Sequence, residues 1–173
     1  MKYIYNFIII FLFATIIQTH LKADTYFLDF KYILNESVAG KKANQVLKKQ
    51  LDQGIKKLKD QEKQLQKDEK DIIQQKKILS PEEYKKKIMA LRTKVSSLQK
   101  ERNSLLESVS KKRRNARKQL LDSLNPIVKG FMAEKNINIV LDKKSILLGN
   151  ENLDITKEIM VLLNNKLKSI NLN

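Results

Sequence analysis

The side chains of this chain that could do chemistry are almost all charged, and their spacing suits binding rather than reaction. Acidic residues cluster as Asp68, Glu69 and Asp71 and as Glu82 and Glu83, with lysines on either side. Carboxylates set three and four residues from lysines on a helix are solvated ion-pair partners, not acid–base pairs. There is no cysteine, and the one histidine is His20, close to the N-terminus. This composition argues against disulfides, cysteine–histidine nucleophiles, histidine bases and ordinary zinc or iron sites. Gly40, Gly54, Gly130 and Gly149 are isolated from one another, which leaves no phosphate-cradling loop. The expectation is a protein that is not an enzyme, with no catalytic, cofactor-binding or metal-ligating residues.

One charge run remains to be explained. Lys111-Lys112-Arg113-Arg114 is followed one turn later by Arg117 and Lys118. The formal net charge of the chain is +16, and residues 41–120 hold 25 Lys/Arg against 10 Asp/Glu, a net +15. The excess therefore belongs to the middle of the chain. A nucleic-acid surface would interleave aromatics with these bases as stacking platforms, but Tyr84 is the only aromatic between 41 and 120. Anionic lipid head groups or anionic protein segments suit the charge better, with nucleic acid disfavoured. Lysine outnumbers arginine 30 to 5, which fits a compositional bias, but bias does not explain why the excess is confined to one region.

The elements that carry this charge are two long helices. Leu51, Leu58, Leu65, Ile72 and Leu79 recur every seven residues, and Tyr84, Ile88, Leu91, Val95, Leu98, Leu105 and Val109 follow a 4-3-4-3 rhythm broken by Arg102. Both are heptad seams. Between them, Ser80-Pro81-Glu82-Glu83 reads as a helix start: Ser80 the N-cap, Pro81 the first position, Glu83 the return half of a capping box. A stop and restart predicts a hairpin over about 38–134 with its tip near 80–83. The first seam is half empty, because Glu62, Glu69 and Lys76 fill three of its four companion positions beside Ile55. Either the first arm leans on the fuller seam of the second, or the arms are free to flex. Gly54 suggests a bend in the first arm, and Asn125-Pro126 a kink or restart near the end of the second.

Outside the arms, residues 25–30 form a short β-prone run, and residues 137–141 and 145–148 read as two further strands joined tightly through Asp142-Lys143-Lys144. Asp154 is placed to N-cap a last amphipathic helix carrying Ile155, Ile159, Leu162, Leu163 and Leu167. The first run must find its partners more than a hundred residues later, so the hairpin is an insertion into one small sheet. Residues 24–37 and 135–173 then form a β body, and 24–173 a single domain. Three strands and a short helix make too thin a core for a chain this size. Self-association through the sheet, with Phe27, Ile139, Leu141, Ile146 and Leu148 as its core, would supply the rest. At the N-terminus, Lys2, the apolar stretch 7–17 and Leu21-Lys22-Ala23 read as a signal peptide over 1–23, cleaved after Ala23. That stretch is short for a membrane span.

Taken in order, these features resemble the Skp/OmpH family. The resemblance lies in the signal, the strand near 26–30, and Ile33-Leu34-Asn35-Glu36-Ser37-Val38-Ala39-Gly40-Lys41-Lys42-Ala43 opening a basic helix. It continues in the terminal runs 137–142 and 145–148 and in Asn152-Leu153-Asp154-Ile155-Thr156 before a final helix. The resemblance implies an α+β fold in which three chains build a small nine-stranded barrel, three strands each. Helical-hairpin arms hang from that barrel as tentacles around a cavity. It implies a periplasmic chaperone, soluble after signal cleavage, that holds unfolded outer-membrane proteins without ATP or any cofactor and assists their delivery to the outer membrane. On this view Lys111, Lys112, Arg113, Arg114, Arg117 and Lys118 are the contact for clients or other anionic partners. The family has a described lipopolysaccharide association, but its motif matches no positions here. From other classes, a structural envelope coiled coil bridging two partners and a basic nucleic-acid-binding coiled coil remain alternatives.

Overall fold

The computed structural model describes residues 25–172, and the expected signal segment lies outside them. Strand β1 (Thr25–Leu28) leads through Asp29 into a short helix α1 (Phe30–Glu36), which Asp29 caps by accepting from the Tyr32 N–H. Ser37 then breaks the chain and caps the long helix α2 (Val38–Gln74), its hydroxyl accepting from the Gly40 N–H. Gly40 has a steric reason to be glycine, since a Cβ there would lie 2.1 Å from the Leu34 carbonyl oxygen. The turn from α1 into α2 is tight enough to exclude any side chain.

A single turn of 3-10 helix (Gln75–Lys77) ends the outward arm, and α3 (Pro81–Glu134) brings the chain back. At 1.5 Å per residue, α2 spans about 55 Å and α3 about 80 Å. Both are continuous. Pro126 lies within α3 without ending it, contrary to the restart expected from Asn125-Pro126. The helix is anchored on both sides of the proline: Leu120 and Leu124 are buried, and Ile127, Val128 and Phe131 pack against the same core. Asn125, Pro126 and Asp122 are exposed, so water can satisfy the Asp122 carbonyl that the proline leaves without a donor. Gly54 likewise introduces no break in α2.

After α3 comes β2 (Ile139–Asp142), then a 3-10 turn (Lys143–Ser145), another (Glu151–Leu153), and α4 (Thr156–Lys166). β1 and β2 pair in parallel, Thr25 opposite Ile139 and Phe27 opposite Leu141. The third strand expected over 145–148 is absent. Asp142 accepts from the Lys144 N–H and turns the chain away from β2, and Leu147 and Leu148 stand 96% and 91% exposed. The outer side of β1 is met instead by a single bridge, Phe27 to Asp154, where the Ile155 N–H donates to the Phe27 carbonyl. β1 is therefore central, and β2 presents the open edge. Asp154 does not occupy the N-cap position of α4, which falls to Ile155, but its carboxylate accepts from both the backbone and the hydroxyl of Thr156.

The core sits where these pieces meet. Leu28, Ile33, Leu120, Leu124, Ile155, Ile159 and Leu163 are buried together, with Tyr26, Val140 and Phe131 packed around them. Alternation along the strands turns Leu28 and Val140 to this core and places Phe27, Ile139 and Leu141 on the opposite face.

Asp154 ties the body together, and its ionisation should be felt in stability. Burial raises its pKa. Hydrogen bonds from Lys143, at 2.6 Å, and from Thr156 outweigh that and hold it below the ordinary carboxylate value. A carboxyl depressed in the folded state contributes stability above its unfolded pKa and loses it as pH falls through the folded one. Asp154→Asn should therefore lower the urea midpoint at pH 7. The deficit against the parent should begin to shrink below about pH 4, where the unfolded chain's carboxyl takes up its proton, and close further as pH falls through the depressed folded value. A deficit that is the same at pH 7 and pH 2.5 would show that the charge is immaterial.

Candidate functional site: the hairpin arms

The two arms face each other through a seam that is apolar only in places. Leu58, Ile72 and Val109 are buried, and Leu51, Leu65, Leu79, Tyr84, Ile88, Leu91, Leu98 and Leu105 are partly so, whereas Val95 is about half exposed. Gly54 lets Leu105 close on α2, since a Cβ at 54 would lie 2.4 Å from the Leu105 side chain. This explains the glycine as a close-approach point.

The polar residues that spoil the heptads meet one another. Glu62, in the half-empty seam, pairs with Arg102, the break in the other, at 3.5 Å. Glu101 receives both Lys57, at 3.4 Å, and the amide of Gln61, at 3.2 Å, while the Gln61 carbonyl oxygen is buried without a partner. Asp68 accepts from Lys94 at 2.7 Å, and that bond, with a second from Gln64, holds its pKa below the usual range. Exposed pairs of this kind contribute little individually. The middle of the hairpin therefore carries polar cross-contacts beside its apolar seam residues, with grooves of about 250 and 270 Å³ left between the helices near Ile72–Leu91 and Leu65–Leu98. This cross-pairing is invisible when each arm's sequence is read alone.

At the tip, Ser80 and Glu83 form the reciprocal capping box. The Glu83 N–H donates to the Ser80 hydroxyl, and the Glu83 carboxylate accepts from the Ser80 N–H at 3.0 Å and from its hydroxyl at 2.8 Å. Those bonds keep Glu83 ionised to lower pH than usual. Pro81 occupies the first turn of α3. The ammonium of Lys76 lies 5.9 Å from the Tyr84 ring centre.

The basic cluster sits at the root of the hairpin. Lys112 reaches Gln50 across the arms at 3.4 Å, Arg114 donates to Ser110, Lys118 pairs with Asp122, and the Arg117 guanidinium lies 6.0 Å from the Phe30 ring. Arg113 and Arg117 border a groove of about 340 Å³ floored by Leu34, Ala43, Leu47 and Leu120. Two clamps that the sequence reading missed fix this root to the body. Asn164 on α4 accepts from the Val38 N–H at the start of α2, and the Gln119 amide makes two hydrogen bonds with the backbone of Asn171.

The Gln50–Lys112 contact makes a direct test of the hairpin. Spin labels at Gln50 and Arg113 should lie roughly 10–20 Å apart, as across two packed helices. A continuous rod would separate them by about 95 Å.

Residues 25–163 match the family model described as outer membrane protein (OmpH-like), which is most of the chain and nearly all of the described fold. The chain belongs to the OmpH-like family. Its fold is similar to that of an outer membrane chaperone (OmpH-like) from Caulobacter crescentus CB15, known from a crystal structure. The TM-score is 0.78 at 18% identity, covering 85% of this chain and 87% of that one. No curated protein matches the chain significantly. Among the described residues of this OmpH-like chain, no helix is long and apolar enough to cross a membrane.

Proposed function

We propose that this OmpH-like protein is a periplasmic chaperone that holds unfolded outer-membrane proteins without ATP and keeps them from aggregating on the way to the outer membrane. The observation that carries the reading is a long basic hairpin, polar through the middle of its seam, on a body too small to need it. Support comes from family membership and from the similar fold of the Caulobacter crescentus protein, which is described as a chaperone.

The chemistry follows from the client. An unfolded β-barrel protein exposes alternating apolar strands that self-associate in water. Net positive charge along the arms attracts acidic segments from a distance, and the incompletely filled seam offers apolar side chains such as Val95 and Ile55 for contact. Many weak contacts on one tethered surface hold a chain without a defined pocket. Lys111, Lys112, Arg113, Arg114, Arg117 and Lys118 act at the root, where a client would enter the space beside the body.

The working form is a homotrimer joined through the sheets. Ile139 and Leu141 share with Phe27 the face turned away from the helical core; Phe27 is already buried within the chain, whereas Ile139 and Leu141 are 49% and 43% exposed on an open strand edge. Ile146 and Leu148 belong to the same association surface. Soluble chains rarely leave such an edge bare.

Diluting a urea-unfolded outer-membrane protein into buffer with this protein tests the reading. Light scattering should stay near baseline at a molar ratio of about three chains per client, with no nucleotide added. Scattering that rises as fast as in the client alone would refute it.

A further inference from the structure

We propose that the groove at the root of the hairpin binds an extended peptide segment in which an acidic residue stands next to an apolar one. Lysine outnumbers arginine 30 to 5 in the chain, yet three of the five arginines fall within residues 113–117. Arg113 and Arg117, one helical turn apart on α3, both border the groove. Asn35 on α1 and Asn44 on α2 border it too. All four side chains are exposed and lack a hydrogen-bond or ion-pair partner among the described residues. Among those residues no acid lines the groove. Further along the arms, charges beside the seam are matched across it, as in Lys57–Glu101, Lys94–Asp68 and Arg102–Glu62. At the root, positive charge meets a cleft and is left unanswered.

The chemistry of that cleft favours a peptide. A guanidinium offers a carboxylate two parallel hydrogen bonds, which a lysine ammonium does not. The Arg117 guanidinium, 6.0 Å from the Phe30 ring centre, is restrained against an aromatic face before any ligand arrives. Leu34 and Ile170 are half-buried and supply apolar surface inside the groove. Its volume of about 340 Å³ is at the small end of ligand sites. Asn35 and Asn44 each carry donors and an acceptor, as the backbone of an extended chain does. A phosphate would leave the amide oxygens without a donor, and a base would find no aromatic among the lining residues to stack on. The proposal rests on the chaperone reading for the source of the peptide. On a whole client held at many points, the groove selects which segment lies against the body, while the other contacts decide how long the chain stays.

The probe is a fluorescein-labelled octapeptide with one leucine next to one aspartate among serines and glycines. Its binding is followed by fluorescence anisotropy at about 0.15 M salt, where long-range steering is screened. Replacing its aspartate by asparagine should weaken binding about tenfold or more, and replacing its leucine by serine should also weaken it. Arg113→Gln with Arg117→Gln should cost at least as much as losing the aspartate. Lys111→Gln with Arg114→Gln removes the same charge from outside the groove and should change affinity less than about twofold. Asn44→Trp covers the groove at constant charge and should abolish binding. All these positions but 44 lie on α3, every one is exposed, and helical content should be unchanged. Equal losses in the two double variants, an asparagine peptide that binds as well as the parent, or undiminished binding to Asn44→Trp would overturn the proposal. So would displacement by inorganic phosphate as effective as by unlabelled peptide. A probe that does not bind while client aggregation is still suppressed overturns the groove and leaves the chaperone reading standing.

Discussion

Replacing Lys111, Lys112, Arg113 and Arg114 together by glutamine is expected to slow capture of an unfolded client about tenfold or more at low ionic strength. The dissociation rate should change far less, because removing steering charge acts on the encounter rather than on the bound contacts. Salt should reproduce the effect in the parent protein. The screening length falls from about 30 Å at 0.01 M to about 8 Å at 0.15 M, so the parent's association should slow towards the variant's. Stopped-flow fluorescence of a labelled client gives both rates. The substitutions lie on α3, away from the strands, and of the four only Lys112 hydrogen-bonds to α2, so assembly should be intact. If the variant captures its client as quickly as the parent at 0.01 M, the run is only a solvated face.

Leu141→Asp should have the larger effect on the protein itself. In the isolated chain Leu141 is 43% exposed on the edge strand, so a monomer would tolerate aspartate with little loss. In a trimer closed through the sheets the same carboxylate is buried without a partner. That should weaken association by at least about 100-fold, the equivalent of ~3 kcal/mol. Sedimentation equilibrium should show three chains per particle for the parent and dissociated chains for the variant at micromolar concentration. A parent that is a folded monomer, or a variant that still forms trimers, would reject the assembly.

How far the sequence could be read depended on the range of the interactions involved. The turn at Ser80 was legible because its capping box lies within four residues and needs no tertiary partner. The long helices were legible from their heptads, and the final helix from its apolar stripe. Where the chain was misjudged, contacts outside the segment mostly decided. Residues 145–148 have strand composition, but Asp142 turns the chain after β2, and the lane beside β1 goes to Asp154. Pro126 has a strong local tendency to stop a helix, yet core contacts on both sides carry α3 through it. Glu62 and Arg102 looked like separate defects in two seams. They are one ion pair, visible only when the arms are laid side by side. The short helix α1 was missed, although Asp29 and Ser37 are both good N-caps and bracket it.

The parallel pairing of β1 with β2 has a consequence for how the molecule is made. Thr25 and Ile139 are neighbours in space and 114 residues apart along the chain. A contact that closes so long a loop forms slowly, because the loop's freedom is lost before the contact repays it. The hairpin faces no such delay: its tip is local, and its helices can zip from Ser80 outwards. During synthesis the first strand therefore emerges early and must wait, unpaired and apolar, until nearly the whole chain has followed. Until then, on the reading proposed here, a protein that shelters unfinished β-strands is itself carrying one.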